Sequence, residues 1–204
     1  MALFQWAATA RLSAGKFPLS ITLADYNPSV LYLVTLPNFL LAWALQQRPH
    51  LPLLEQALET EGELELTQDV KEAFLNFLQS SQISLTFVSG AWSAQFVDLL
   101  YSAAIFPISL AGGSTLILGA ETIYSPFALS AFTETLLTIF RREHQERPRR
   151  HSAAIVAAKR LYFGVGGSLD DFVEKMRTSG ATVNGLREED EGVRRGVVQC
   201  LLGS

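Results

Sequence analysis

Glu121 and Tyr124 lie three residues apart in the run Ser114 to Pro126, Ser-Thr-Leu-Ile-Leu-Gly-Ala-Glu-Thr-Ile-Tyr-Ser-Pro. A carboxylate can balance positive charge, and a phenol can donate or accept a hydrogen bond. Both follow an apolar run, Thr115 to Leu118, that reads as a strand buried on both faces. In open α/β sheets ligands bind beyond the carboxyl ends of strands, so Glu121 and Tyr124 form a candidate site. The alternative is a solvated Glu121 and a packing Tyr124.

Three more strand ends carry reactive or unusual residues. Asp25 ends the strand Leu19 to Leu23. An acid there can accept hydrogen bonds from both hydroxyls of a ribose, its charge tightening them. The alternative is an Asp that caps the helix opened by Pro28. Trp92 follows the strand Ile83 to Val88 and can lie on an adenine face or simply join the core. Gly164, Gly166 and Gly167 follow the strand Ala153 to Ala158. Gly-Val-Gly-Gly here is not a phosphate fingerprint, because it follows a late strand and lacks the spacing. It is expected to allow a tight turn or the close approach of a substrate chain. His50, His144 and His151 sit in polar, loop-like surroundings and are not expected to be catalytic.

The elements that position these residues alternate. An apolar, helix-forming stretch spans residues 2 to 14. A helix runs from Pro28 to about Gln47, and Arg48-Pro49-His50-Leu51-Pro52 breaks it. Residues 49–66, with several glutamates around Gly62, are expected as a surface insertion. Thr67 caps a helix with Val70, Ala73, Phe74, Phe77 and Leu78 on one face. Ser93 to Ile105 is helical, as is Pro126 to about Arg142, with Ser125 as cap. Arg141 to Arg150 reads as a charged loop. Ser168 caps a helix to about Thr178. Thr182 to Leu186 and Arg195 to Leu202, separated by an acidic turn, should pair antiparallel. The sum is a mostly parallel α/β sheet, closed by an antiparallel hairpin.

The 204 residues suit a single domain with a sizeable core. The net charge of −4 gives no general case for nucleic acid, and no direct DNA contact is expected. Lys159 and Arg160 could meet an RNA or ribosomal surface, although a solvated strand end is the commoner case. The single cysteine, Cys200, excludes an internal disulfide and is expected in the core. Three scattered histidines and one cysteine make no metal-ligand spacing. Val30 to Leu45 comes nearest to a membrane span, but Pro37 and Asn38 interrupt it, so no membrane partner is expected. The N-terminus lacks the plan of a signal peptide.

Leu23-Ala24-Asp25-Tyr26-Asn27-Pro28-Ser29-Val30-Leu31, then Val34-Thr35-Leu36-Pro37-Asn38, resembles the second motif of the family-16 seven-β-strand protein methyltransferases. Glu121-Thr122-Ile123-Tyr124 matches their acid-x-x-Tyr signature. Ala157-Ala158-Lys159-Arg160-Leu161-Tyr162-Phe163-Gly164-Val165-Gly166-Gly167 resembles the protein-histidine N-methyltransferase branch. The resemblance covers nearly the whole chain from about residue 19.

It implies a Rossmann-like fold and S-adenosyl-L-methionine as methyl donor. Asp25, Tyr26, Asn27, Ala91, Trp92 and Ala120 would contact the donor. Glu121 and Tyr124 would line the methyl-transfer site. Tyr162, Phe163, Gly164, Gly166 and Gly167 would face a protein substrate. In this branch that substrate is a histidine of the large-subunit ribosomal protein L-three. The resemblance further implies a monomer in the cytoplasm, and also in the nucleus. Ala91 stands where the family usually has an acid, a loss of roughly 1–3 kcal/mol if that acceptor was buried. The family's first strand and Gly-rich loop should precede residues 2 to 14. Without that strand, the strands ending at Asp25 and Ala120 must pair directly or leave edges open. The alternatives are a catalytically inactive binding module, a protein-lysine methyltransferase of the same fold, and, more weakly, a nicotinamide-dependent dehydrogenase.

Overall fold

The computed structural model describes residues 4, 18–102, 113–148, 150–162, 164, 166–189 and 192–202. It forms two compact units, Met1–Ala91 and Trp92–Ser204.

In the first unit, β1 (Leu19–Asp25) and β2 (Ile83–Ser89) pair in parallel, with Asp25 opposite Ser89. The predicted helix from Pro28 to Gln47 is present but has three parts. α1 (Pro28–Val30) passes into a π-helical stretch, Leu31–Thr35, and then into α2 (Leu36–Gln47). The cause is Pro37, which has no N–H to offer the carbonyl of Leu33. The wider turn upstream lets the Leu36 N–H reach Leu31 O. The Thr35 hydroxyl donates to Val30 O at 3.2 Å and the Asn38 amide to Val34 O at 2.9 Å. By length and composition alone, Pro28–His50 would suffice to cross a membrane. Its Phe39, Leu40, Trp43 and Ala44 are buried in this unit's core.

The stretch 49–66 is divided. α3 (Pro52–Ala57) buries Leu54 and Ala57 in the same core, whereas residues 59–66 are largely exposed. Thr67 caps α4 (Gln68–Ser80) by accepting from Val70 N–H at 3.3 Å, as its sequence predicts. Phe74 of α4 meets Trp43 edge-on at 5.2 Å. Phe4 is buried 5.0 Å from Phe39, and the rest of the helix expected over 2 to 14 lies outside the described residues.

The second unit is a four-stranded sheet of order β3-β4-β6-β5. β3 (Ser114–Ala120) and β4 (His151–Lys159) are parallel. β5 (Ala181–Glu189) and β6 (Arg195–Leu202) form the expected antiparallel hairpin, with an irregularity between Gly185 and Arg187. α5 (Ala94–Leu100), α6 (Pro126–Glu146) and α7 (Leu169–Thr178) start at Ser93, Ser125 and Ser168. Each of these serine hydroxyls accepts from the backbone N–H three residues on. The helix expected over Ser93 to Ile105 is described only as far as Leu100, and residues 103–105 lie outside the described residues. α6 outruns its predicted end at Arg142. The Arg142–Glu146 pair at 2.7 Å and the Arg147–Glu143 pair at 3.0 Å link its last turn.

The core gathers Phe132, Leu136 and Phe140 of α6, Ala154 and Val156 of β4, Phe172 and Met176 of α7, and Cys200. Cys200 is fully buried, as expected, and burial pushes its thiol up to about 11.

β3 departs from its reading as a strand buried on both faces. Leu116 is 48% and Leu118 56% exposed. Ile117 and Gly119 face the core instead, and Gly119 lies so close to Phe132 that a Cβ would sit 2.7 Å from its ring. Among the described strands β3 pairs with β4 alone and β1 with β2 alone.

Candidate functional site

Asp25 ends β1, and its Oδ1 accepts the Asn27 N–H at 2.8 Å. Asn27 in turn accepts the Ser29 N–H at 2.9 Å and caps the helix that begins with Pro28. The cap is thus Asn27, and Asp25 shapes the turn before it. One oxygen of Asp25, Oδ1, holds the turn. Tyr26 is 74% exposed. Ala91 is exposed and offers no side-chain acceptor. These residues belong to the first unit.

The second unit holds the other strand ends. Trp92 meets Phe96 at 5.2 Å and Phe132 at 5.5 Å, both edge-on. The indole is therefore at least partly a packing residue, fixed by α5 and α6.

Glu121 follows Ala120 directly. Its N–H extends the β3–β4 ladder by donating to Ala157 O at 3.0 Å. Its φ of 55° lies in the left-handed region, which costs a non-glycine residue of the order of 1–3 kcal/mol and recurs at functional sites. That turn of the backbone lifts the side chain off the strand direction. Tyr162 donates to Glu121 Oε2 at 2.6 Å across 41 residues. Arg195 Nε lies 3.5 Å from Glu121 Oε1. The carboxylate is nonetheless 45% exposed, so it is oriented from beneath and open above.

Tyr162 is buried, and its hydroxyl also accepts the Lys159 N–H at 3.3 Å. Its phenol is pushed up to about 12. Burial is the largest cause and the bond to Glu121 the next, while the Lys159 N–H opposes them. The β4–β6 ladder sets Lys159 opposite Arg195, which brings that guanidinium to Glu121. Sequence reasoning passed over Arg195, whose only signal is its place at the start of a strand.

Tyr124 is 55% exposed. Between Glu121 and Tyr124, Ile123 is fully buried and anchors the loop. The glycine run lies directly against this loop. A Cβ on Gly167 would sit 2.3 Å from Ile123 O and 2.9 Å from the Tyr124 carbonyl carbon. The close approach at Gly167 is therefore to the protein's own backbone. Gly164 and Gly166 have φ of 80° and 76°, which is the expected tight turn. Phe163 lies outside the described residues. Arg160 pairs with Asp170 and Glu188, so it is not a free cation. Among the described residues no group of histidine, cysteine, aspartate and glutamate could hold a metal ion.

Parallel strand pairs joined by helices in each unit, with an antiparallel hairpin in the second, make this an α/β protein. Histidine protein methyltransferase 1 of Saccharomyces cerevisiae is 37% identical over 162 residues, covering 76% of this chain and 40% of that protein. The protein of that name from Schizosaccharomyces pombe is 29% identical over 189 residues, 90% of this chain and 49% of its own length. A Rattus norvegicus homologue is 31% identical over 172 residues, 84% of this chain and 40% of the relative. By sequence the chain is similar to histidine protein methyltransferases over most of its own length. It spans less than half the length of these relatives. No family model matches it. Two solved structures, "delta-N METTL16 MTase domain" and "Human methyltransferase 10 domain containing protein", cover the whole chain and 81% of their own, with TM-scores of 0.36 and 0.35 at 12% and 10% identity.

Proposed function

We propose that the chain is part of an S-adenosyl-L-methionine-dependent enzyme that methylates a ring nitrogen of a protein histidine. The observation that carries the reading is the Glu121 carboxylate, held from below and half open to solvent, in a chain homologous to histidine protein methyltransferases. The donor supplies an electrophilic methyl carbon on a sulfonium. Asp25, whose Oδ1 holds its turn, suits a ribose hydroxyl.

A neutral imidazole is already nucleophilic near pH 7, so little acid–base chemistry is required. Its attack would form a nitrogen–carbon bond as the methyl–sulfur bond breaks, releasing a neutral thioether and moving the positive charge onto the ring, which later loses the proton of its second nitrogen to water. Glu121 balances that charge and accepts the N–H of the second ring nitrogen. That bond fixes the tautomer and aims the free nitrogen along its line of attack. Tyr124 flanks the ring. The target is a histidine of the large-subunit ribosomal protein L-three, acted on by a monomer in the cytoplasm and nucleus.

The test is methyl transfer from labelled donor to purified ribosomal protein, together with donor binding by calorimetry. Glu121→Gln should lower turnover about 100-fold while leaving donor affinity within twofold, and Asp25→Ala should weaken donor binding at least tenfold. Wild-type turnover in both Glu121→Gln and Tyr124→Phe would remove these two residues from the mechanism. Absence of donor binding would instead favour a binding module.

A further inference from the structure

We propose that Tyr162 is a positioning residue that acts through Glu121 and does not itself touch the substrate. The inference rests on the reading of Glu121 given above. Tyr162 is only 9% exposed, and its ring packs in the core with Ile123, Phe132 and Leu169. Its hydroxyl has both bonding roles filled within the protein. It donates to Glu121 Oε2 at 2.6 Å and accepts from Lys159 N–H at 3.3 Å. With its one proton committed to Glu121, the phenol has no donor to offer an incoming peptide.

What it offers Glu121 is direction. A half-exposed glutamate on a loop samples several rotamers, and each wrong one costs catalysis. The short bond from a buried phenol, itself fixed by a strand-end N–H, selects one rotamer. Arg195 stands on the other oxygen at 3.5 Å, beyond hydrogen-bond reach of neutral groups and in partial solvent. It biases the carboxylate without occupying it. Oε1 thus keeps lone pairs for the ring N–H of a target histidine. The glycine turn at 164 and 166 then has a role as well, since it returns the chain from Tyr162 to Gly167. Tyr162 N–H donates to Gly167 O at 3.0 Å, and Gly166 N–H donates to Tyr162 O at 3.3 Å. The turn therefore holds the phenol in place.

The variant is Tyr162→Phe, which keeps the ring and deletes the hydroxyl. With labelled donor and the ribosomal protein, kcat should fall about 10- to 100-fold while KM for the protein stays within twofold. The double variant Tyr162→Phe/Glu121→Gln should be no slower than Glu121→Gln alone, because the hydroxyl's only other partner, the Lys159 N–H, belongs to the backbone beneath the site. A separate readout is tyrosine ionisation, followed at the phenolate absorbance. The phenol that titrates near 12 should vanish in Tyr162→Phe and titrate earlier in Glu121→Gln. A raised KM at unchanged kcat, a multiplicative loss in the double variant or wild-type rates in Tyr162→Phe would each overturn the proposal while leaving the methyltransferase reading intact. A wild-type chain that binds donor yet transfers nothing to any protein histidine would overturn both.

Discussion

Removing the Glu143 carboxylate should destabilise the second unit more than any surface change. Glu143 is 1% exposed and faces three donors. Tyr101 donates to Oε1 at 2.7 Å, Thr115 donates to Oε2 at 2.9 Å, and Arg147 approaches Oε1 at 3.0 Å. One side chain of α6 thereby ties the end of α5 to the start of β3. Arg142 and Arg147 lie over the Tyr101 ring at 4.6 and 5.4 Å, which fixes the phenol from its face. Hydrogen bonds to a charged group contribute about 1.5–3 kcal/mol each, and breaking a buried pair by deleting one partner costs about 3–5 kcal/mol. Glu143→Ala should therefore cost about 3–5 kcal/mol, a large share of a domain's 5–15 kcal/mol or so. At roughly 2–4 °C per kcal/mol, Tm should fall by about 6–20 °C. Glu143→Gln keeps the shape, an acceptor for Tyr101 and a group to meet Thr115, so it should cost only about 1–2 kcal/mol. Urea titration and calorimetry of the three proteins, at one ionic strength, give the comparison. A loss below about 1 kcal/mol in Glu143→Ala would mean that water replaces the carboxylate without penalty, and the picture of a closed cluster would fail. Equal losses in the Ala and Gln variants would show that charge alone matters.

Three further outcomes follow from single contacts. Stability should fall as pH rises through about 9–12, because Cys200, Tyr162 and Tyr101 all lose protons later in the folded protein than in the unfolded chain. Their contribution is complete below pH 9, where the unfolded thiol begins to titrate, and a flat denaturation midpoint from pH 8 to 11 would contradict it. Gly167→Ala forces a methyl against Ile123 O, so it should cost about 1–3 kcal/mol and disturb the Glu121–Tyr124 loop; wild-type Tm together with wild-type turnover would show that the loop gives way freely. Asn27→Ala removes the cap on Ser29 N–H and should cost about 1 kcal/mol, and donor affinity should fall with it because the Asp25 turn loosens; a stability within about 0.2 kcal/mol of wild type would refute the cap.

The sequence by itself determined the local features. Thr67, Ser125 and Ser168 were readable as caps because a hydroxyl and the N–H three residues on lie within one turn of chain. The order of strands and helices, the closing hairpin and the placing of Asp25, Trp92 and Glu121 at strand ends followed from periodicity and turn residues in the same way. Pro37 was visible as an interruption, but only the folded chain shows that it widens into a π turn there instead of breaking. Other features were settled only by tertiary structure. Which face of β3 is covered depends on the helices that pack against its sheet, and no local pattern of Leu and Ile records that. The grip of Tyr162 and Arg195 on Glu121 spans 41 residues in one case and 74 in the other (195 − 121), and both contacts exist because β4 lies between β3 and β6 in one register. The chemistry of a lone carboxylate is written in its residue type. Its direction comes from strands that meet only when the chain has folded.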